Sequence, residues 1–225
     1  MQDLVLQEQF EIEVLEKLNS GRLLDPLVFE GGSMLRLCYG LNRYSVDLDF
    51  SLIKEIDSNK FFRRCKDYLE KRYKIKDTAN TFYTIIFELS SPRYPRSLKI
   101  EVRKEGKNVK IEEAIAFSKY SNVQVLVKTI SLPSMMDLKI RSFLDRGEIR
   151  DCFDIEFLLK RGISVDVSRE TLKKVLTKIE GLSKRDYTVK LGALVEENER
   201  RYYIQNNFKT LKLEIINRIG FKKIS

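Results

Sequence analysis

Asp47 and Asp49 stand two residues apart in Ser45-Val46-Asp47-Leu48-Asp49-Phe50-Ser51-Leu52, a run that alternates polar and apolar and reads as a β-strand. Side chains two apart on a strand leave the same face, so the two carboxylates converge while Val46, Leu48 and Phe50 turn into a core. Carboxylates held side by side repel unless a cation neutralises them, and hard oxygen donors suit Mg²⁺ bridging a triphosphate. The same short pattern also fits an ordinary half-buried strand with its polar face in water. Upstream, Gly31-Gly32-Ser33 separates the apolar run Leu27-Val28-Phe29 from a helix carrying Met34, Leu35 and Leu37. Glycines at that junction let the backbone approach an anion, the helix start presents N–H groups, and Ser33 adds a hydroxyl. For Ser33 alone, capping of the helix is the simpler reading. A glycine-rich loop feeding a helix and then a strand with paired carboxylates is a much less common combination than either part.

Composition narrows the chemistry further. The 225 residues contain no histidine, which excludes Ser-His-Asp triads, histidine bases and Cys/His zinc sites. The three cysteines, Cys38, Cys65 and Cys152, lie far apart with no CxxC spacing. Carboxylate, lysine and arginine chemistry remains. Lys and Arg number 42 against 33 Asp and Glu, a net charge of +9, which points to an anionic partner such as nucleic acid or nucleotide, or serves solubility alone. Met1 to Phe10 carries Asp3 and Glu8 and lacks the cationic start and apolar run of a signal peptide. The apolar stretches fall short of the ~20 residues that span a bilayer, so a cytoplasmic protein with free thiols is expected.

The elements that must position these groups follow from the periodicity. Residues 2–19 read as an amphipathic helix ended by Asn19-Ser20-Gly21, and a second helix runs from Met34 towards Gly40. Residues 58–73 read as a helix with Phe61, Phe62, Cys65, Tyr68 and Leu69 on one side. Thr81–Leu89 and Ser97–Val102 read as a hairpin around Ser-Ser-Pro-Arg-Tyr-Pro, and Val123–Ile130 as one more strand. Beyond Pro133 everything prefers helix: residues 134–145, 149–160, 169–181 and 190–218. The prediction is an α+β chain, with a mixed α/β domain over residues 1–130 and a helical domain over 131–225. Tyr202, Tyr203 and Phe208, among Arg200, Arg201 and Lys209, suit base stacking in principle but read better as core. Phe221-Lys222-Lys223 reads as a frayed tail.

The stretch GGSMLRLCYGLNRYSVDLDF resembles the first signature of the AbiEii/AbiGii-type nucleotidyltransferase toxins of the polymerase-β-like superfamily, GG[ST]-x-L-R followed by R-x-S-x-D-L-D-F. Asp137 to Ile155, with Lys139 and Arg150-Asp151-Cys152-Phe153-Asp154-Ile155, is similar to that family's later K…R-D-x-x-D-L signature, with Ser142 where a small Ala is usual. The resemblance implies a polymerase-β-like core with a mixed sheet, followed by a C-terminal helical bundle. By the same resemblance Gly31, Gly32, Ser33, Arg36 and Lys139 bind the nucleotide, Asp47 and Asp49 hold the metal, and Lys139 and Asp151 join them in catalysis. A third metal carboxylate is expected on a neighbouring strand, where Glu101 fits and Glu88 is a rival.

Read without the family, Lys139, Arg146 and Arg150 offer positive charge to phosphates, and Asp151 and Asp154 share a helix face. A salt-bridged helix pair is the simpler account of them at this point, and Asp154 stands between packing and catalysis. With the family, the expected protein is a nucleotidyltransferase that uses Mg²⁺ or Mn²⁺ and a nucleoside triphosphate. It would be the toxin of a type IV-like toxin–antitoxin or abortive-infection system, acting on RNA such as tRNA and countered by an antitoxin. The alternatives are a catalytically silent RNA- or partner-binding module on the same fold, or transfer to protein or a small molecule. Lys139→Ala is expected to weaken triphosphate binding and leave the fold intact.

Overall fold

The computed structural model describes residues 2–53, 56–106 and 109–220, so the tail reading of Phe221-Lys222-Lys223 lies outside the described residues. The chain divides into two compact units, Met1–Ser131 and Leu132–Ser225.

The first unit opens with α1 (Gln2–Ser20), then β1 (Leu27–Glu30), α2 (Gly31–Tyr39), β2 (Asp47–Leu52) and α3 (Ser58–Glu70). Five strands follow: β3 (Lys74–Asn80), β4 (Thr84–Ser90), β5 (Leu98–Arg103), β6 (Ile111–Phe117) and β7 (Gln124–Ile130). With β1 and β2 they form one seven-stranded mixed sheet in the order β3-β4-β5-β2-β1-β7-β6. β1 is antiparallel to β2 and parallel to β7, while β2 runs parallel to β5.

Alternation decides which face is which. Phe29, Leu48, Phe50, Ile100, Val102, Ile85 and Phe87 are all buried, and Phe29 stacks on Phe50 at 5.2 Å between ring centres. Leu18 of α1 and Phe61, Cys65 and Leu69 of α3 line the same apolar layer as Leu27, Phe87, Ile100 and Val102. Each large side chain buried there is worth about 1.5–3 kcal/mol. Asp57 caps α3 by accepting from the N–H groups of Asn59 and Lys60, at 3.0 and 2.9 Å. The opposite face of β2 and β5 is left polar and partly open.

The second unit is helical: α4 (Leu132–Arg146), α5 (Ile149–Lys160) and α6 (Arg169–Glu180), a π-helical turn at Asp186–Leu191, then α7 (Glu197–Asn206) and α8 (Lys209–Gly220). Ser168 caps α6 through the Thr171 N–H. The fully buried Glu156 of α5 accepts from the Tyr203 hydroxyl and from the Leu211 N–H, each at 3.1 Å, and pairs with Lys160 at 2.7 Å, which fastens α7 and α8 onto α5. Tyr203 and Phe208 are core residues, as the sequence reading preferred, and Tyr202 is 38 % exposed. Among the described residues no helix is long and apolar enough to cross a membrane.

Candidate active site

The glycine junction is built as the sequence requires. Glu30 ends β1 in an extended conformation, and Gly31 turns the chain into α2 with φ +81°, a backbone state that side chains rarely adopt. Both glycines are closely approached. A β-carbon on Gly31 would lie 2.5 Å from Asp49 Oδ2, and one on Gly32 would lie 2.7 Å from a guanidinium nitrogen of Arg43 and 2.8 Å from Ser45 Oγ. A carboxylate and a guanidinium therefore lie over the loop that starts α2. The Ser33 hydroxyl does not cap its own helix. It is fully buried and donates to the Asp47 carbonyl, pinning the first turn of α2 to the start of β2.

Arg36 serves the same frame. It pairs with Glu8 of α1, donates to the Leu41 carbonyl at 3.0 Å and stacks over the Tyr44 ring at 3.8 Å.

The strand register sets the charged face. Asp47 lies opposite Lys99 and Asp49 opposite Glu101 on the parallel pair β2–β5, and Asp49 lies opposite Glu30 on β1. Residues opposite one another in a ladder share a face, so Asp47, Asp49, Glu30, Lys99 and Glu101 all project to one side. Glu88, on β4, lies opposite Lys99 and is thus a full strand further from the aspartates than Glu101. Lys99 Nζ bonds Glu101 Oε2 at 2.7 Å, and that hydrogen bond, with the charges of Glu101, Asp47 and Asp49, raises the lysine pKa above its ordinary value. Arg103 reaches the same group loosely, 3.9 Å from Glu30 and 4.0 Å from Glu101.

Behind the aspartates lies a buried acid that the sequence did not single out. Glu11 of α1 is fully buried, and neither of its side-chain oxygens has a hydrogen-bond partner. Burial, and then the charge of Glu8, push its pKa well up, with smaller contributions from Asp47 and Asp49 and an opposing one from Arg36. One turn earlier Gln7 spends its amide N–H groups on the carbonyls of Val46 and Ser97, and its own Oε1 is likewise without a hydrogen-bond partner.

Among the described residues no three Asp, Glu or Cys side chains form a ready-made metal cage. The donor set nonetheless fits a hard divalent ion. Mg²⁺ is normally held by one or two carboxylates completed by substrate phosphates and water. Asp47 and Asp49 share the face, with Glu101 directly beside Asp49 as a third oxygen donor.

The second signature forms a cluster within the helical unit. Lys139 is 7 % exposed; its Nζ lies 2.6 Å from Asp154 and 3.5 Å from Asp151, both fully buried. Arg146 grips Asp151 with two hydrogen bonds, 2.7 and 2.8 Å, and the bond to that carboxylate raises its own pKa. Asp154 is thereby placed as a partner of Lys139. Arg43, Lys99, Glu30 and Glu11 are the residues that sequence reasoning passed over. Arg43 alone carried a signal, its place in R-x-S-x-D-L-D-F.

The model of the nucleotidyl transferase AbiEii toxin family, type IV toxin–antitoxin system, matches residues 13–214. No curated protein matches the chain. Among solved structures, one described as a nucleotidyltransferase from Helicobacter pylori is 20 % identical, with a TM-score of 0.57 over 93 % of this chain and 96 % of that one. JHP933 from Helicobacter pylori is 21 % identical, with a TM-score of 0.53 over 93 % and 94 % of the two chains. These neighbours share the fold.

Proposed function

This chain belongs to the AbiEii nucleotidyltransferase toxin family of type IV toxin–antitoxin systems, and on that premise we propose that it transfers a nucleotide from a triphosphate to RNA, tRNA in particular, in the cytoplasm, using Mg²⁺ or Mn²⁺ at Asp47, Asp49 and Glu101. The observation that carries this reading is the register of three adjacent strands, which sets Glu101 and Glu30 on either side of Asp49, with Asp49 itself over Gly31. Such a face offers carboxylates to a metal beside backbone N–H groups for phosphate oxygens.

The chain's own groups divide the work. Gly31 and Gly32 present the α2 N-terminus to the triphosphate, where N–H groups and the helix dipole favour negative charge. Ser33 acts by fixing that turn against β2, and Arg36 by fixing α2 against α1. Arg43, over Gly32, adds positive charge beside the phosphates. A divalent ion held by these carboxylates would neutralise the triphosphate and favour loss of the acceptor hydroxyl's proton to water. The acceptor oxygen then bonds to the α-phosphorus as pyrophosphate leaves. Lys139 and Asp151 are assigned to nucleotide binding and catalysis on the second signature. Membership of the family implies a cognate antitoxin, and the net charge of +9 supports an RNA acceptor.

The test incubates wild type and Asp49→Asn with each labelled triphosphate, Mg²⁺ and total RNA. Label in RNA with wild type and none with Asp49→Asn is expected. Equal labelling by both removes the metal role of Asp49. Label in protein or a small molecule instead of RNA moves the acceptor, and no label from any triphosphate leaves a binding module.

A further inference from the structure

On the carboxylate face described above, Lys99 is a cation held at hydrogen-bond distance from Glu101. Its ammonium lies 2.7 Å from Glu101, its position in the ladder is directly opposite Asp47, and Asp49 lies beside Glu101. A compact ammonium among three carboxylates answers part of the same electrostatic need that a divalent ion would, and a cation already held on Glu101 weakens the binding of a second one beside it. Arg103 is a poorer candidate, because its contacts with Glu30 and Glu101 are at 3.9 and 4.0 Å and its ladder partner is Ser51. The Lys99 side chain is also 41 % exposed, so its four-carbon stem is free to carry the charge off Glu101 without disturbing the apolar layer on the other face of β5.

We propose that Lys99 is a resident counter-cation of Glu101, displaced from it by the divalent metal, and that its ammonium then passes to a phosphate oxygen of the nucleoside triphosphate. The inference rests on the metal-binding reading of Asp47, Asp49 and Glu101. It makes one lysine act in opposite directions on two ligands: it competes with the metal in the empty site and supports the triphosphate in the loaded one. A lysine that only shapes the sheet would do neither.

The experiment uses the full chain with Mn²⁺ as the probe, titrated calorimetrically without nucleotide, against wild type, Lys99→Met, Lys99→Arg and Asp49→Asn. Met keeps the stem and removes the charge, and circular dichroism checks that each variant is folded. Lys99→Met is expected to bind Mn²⁺ about tenfold more tightly than wild type, the scale of removing one partly solvated charge from beside a divalent ion. Lys99→Arg should stay near wild type. With Mn²⁺ present, the four nucleoside triphosphates titrated in turn should show the opposite order, with Lys99→Met about tenfold weaker for the one that wild type prefers. Mn²⁺ affinity in folded Lys99→Met equal to or below wild type overturns the proposal, as does unchanged triphosphate affinity. Failure of the underlying reading is seen in a different arm: Asp49→Asn binding Mn²⁺ as wild type does would remove the metal from these carboxylates whatever Lys99 does.

Discussion

The Asp49 carboxylate occupies the space that a side chain on Gly31 would need, its Oδ2 2.5 Å from the place of a β-carbon there. The loop that would bind phosphate and the strand that would bind metal thus meet at one contact. Gly31 is also at φ +81°, so alanine there is penalised both by the backbone and by the aspartate. Gly31→Ala is expected to destabilise the α/β unit by about 1–3 kcal/mol, the usual cost of a non-glycine residue forced into this region. It should also reduce nucleotide transfer far more than that loss of stability accounts for, because Asp49 must move. Denaturant unfolding alongside the labelled-transfer assay separates the two effects.

Glu101 and Glu88 are told apart by register. Glu101 is one strand from Asp49 and Glu88 two strands away, opposite Lys99. Glu101→Gln is expected to lower transfer by about a hundredfold or more, the scale on which single preorganised electrostatic groups act, and Glu88→Gln by no more than a few-fold. Steady-state rates for the two variants at saturating Mg²⁺ decide the matter. A larger loss in Glu88→Gln would give it the third metal position.

The path from β1 through α2 to β2 was legible because each step had a strong local signal: an apolar run, two glycines, then strict alternation. β6 was not, because its pattern is inverted. Ile111, Ile115 and Phe117 face outward and are exposed, whereas Ala114 and Ala116 face inward, with Ala116 fully buried, so α2 packs close over small residues. β3 hid behind Lys74, Lys76 and Asp77, the polar dress of an edge strand. The single helix expected over residues 190–218 is broken twice, over residues 192–196 and again where Asn207 and Phe208 take positive φ of 45° and 54°. Nothing in a buried phenylalanine announces that turn. Among site residues the aspartates were readable from spacing. Lys99 and Glu11 owe their roles to neighbours in space, which one strand or one helix cannot show.

Lys139 illustrates how burial changes an expectation. On sequence alone its removal leaves the fold intact, but Asp151 and Asp154 are fully buried against it, 3.5 and 2.6 Å from its ammonium. Removing one partner of a buried ion pair takes away part of the charge compensation of the other, on a scale of up to about 3–5 kcal/mol. Lys139→Met is therefore expected to destabilise the helical unit as well as to lose transfer, with Asp151 partly spared because Arg146 still grips it. Lys139→Met with Asp154→Leu should recover much of the stability and none of the activity. Equal stability of wild type and Lys139→Met in urea would show that groups other than the lysine compensate these acids.

Glu11 carries a pH dependence whose sign follows from burial. Its pKa stands well above the ordinary 4.5, so the folded protein holds the proton more tightly than the unfolded chain does. The stability contributed by protonated Glu11 is fully present below about pH 4.5 and is lost as pH rises through the elevated folded value, so near neutrality this residue costs stability. Glutamine keeps the shape of the neutral acid, and its amide can donate to Gln7 Oε1, itself without a partner. Glu11→Gln is accordingly expected to melt above wild type at pH 7, by about 2–4 °C for each kcal/mol gained. The difference should shrink as pH falls and close below about pH 4.5, as Glu11 becomes neutral in the unfolded chain as well as in the folded protein. Melting curves for the two proteins from pH 4 to 8 measure this directly. A Glu11→Gln variant that melts below wild type at pH 7 would mean that the carboxylate is satisfied in solution, by a cation or water seated between Gln7 and Glu11.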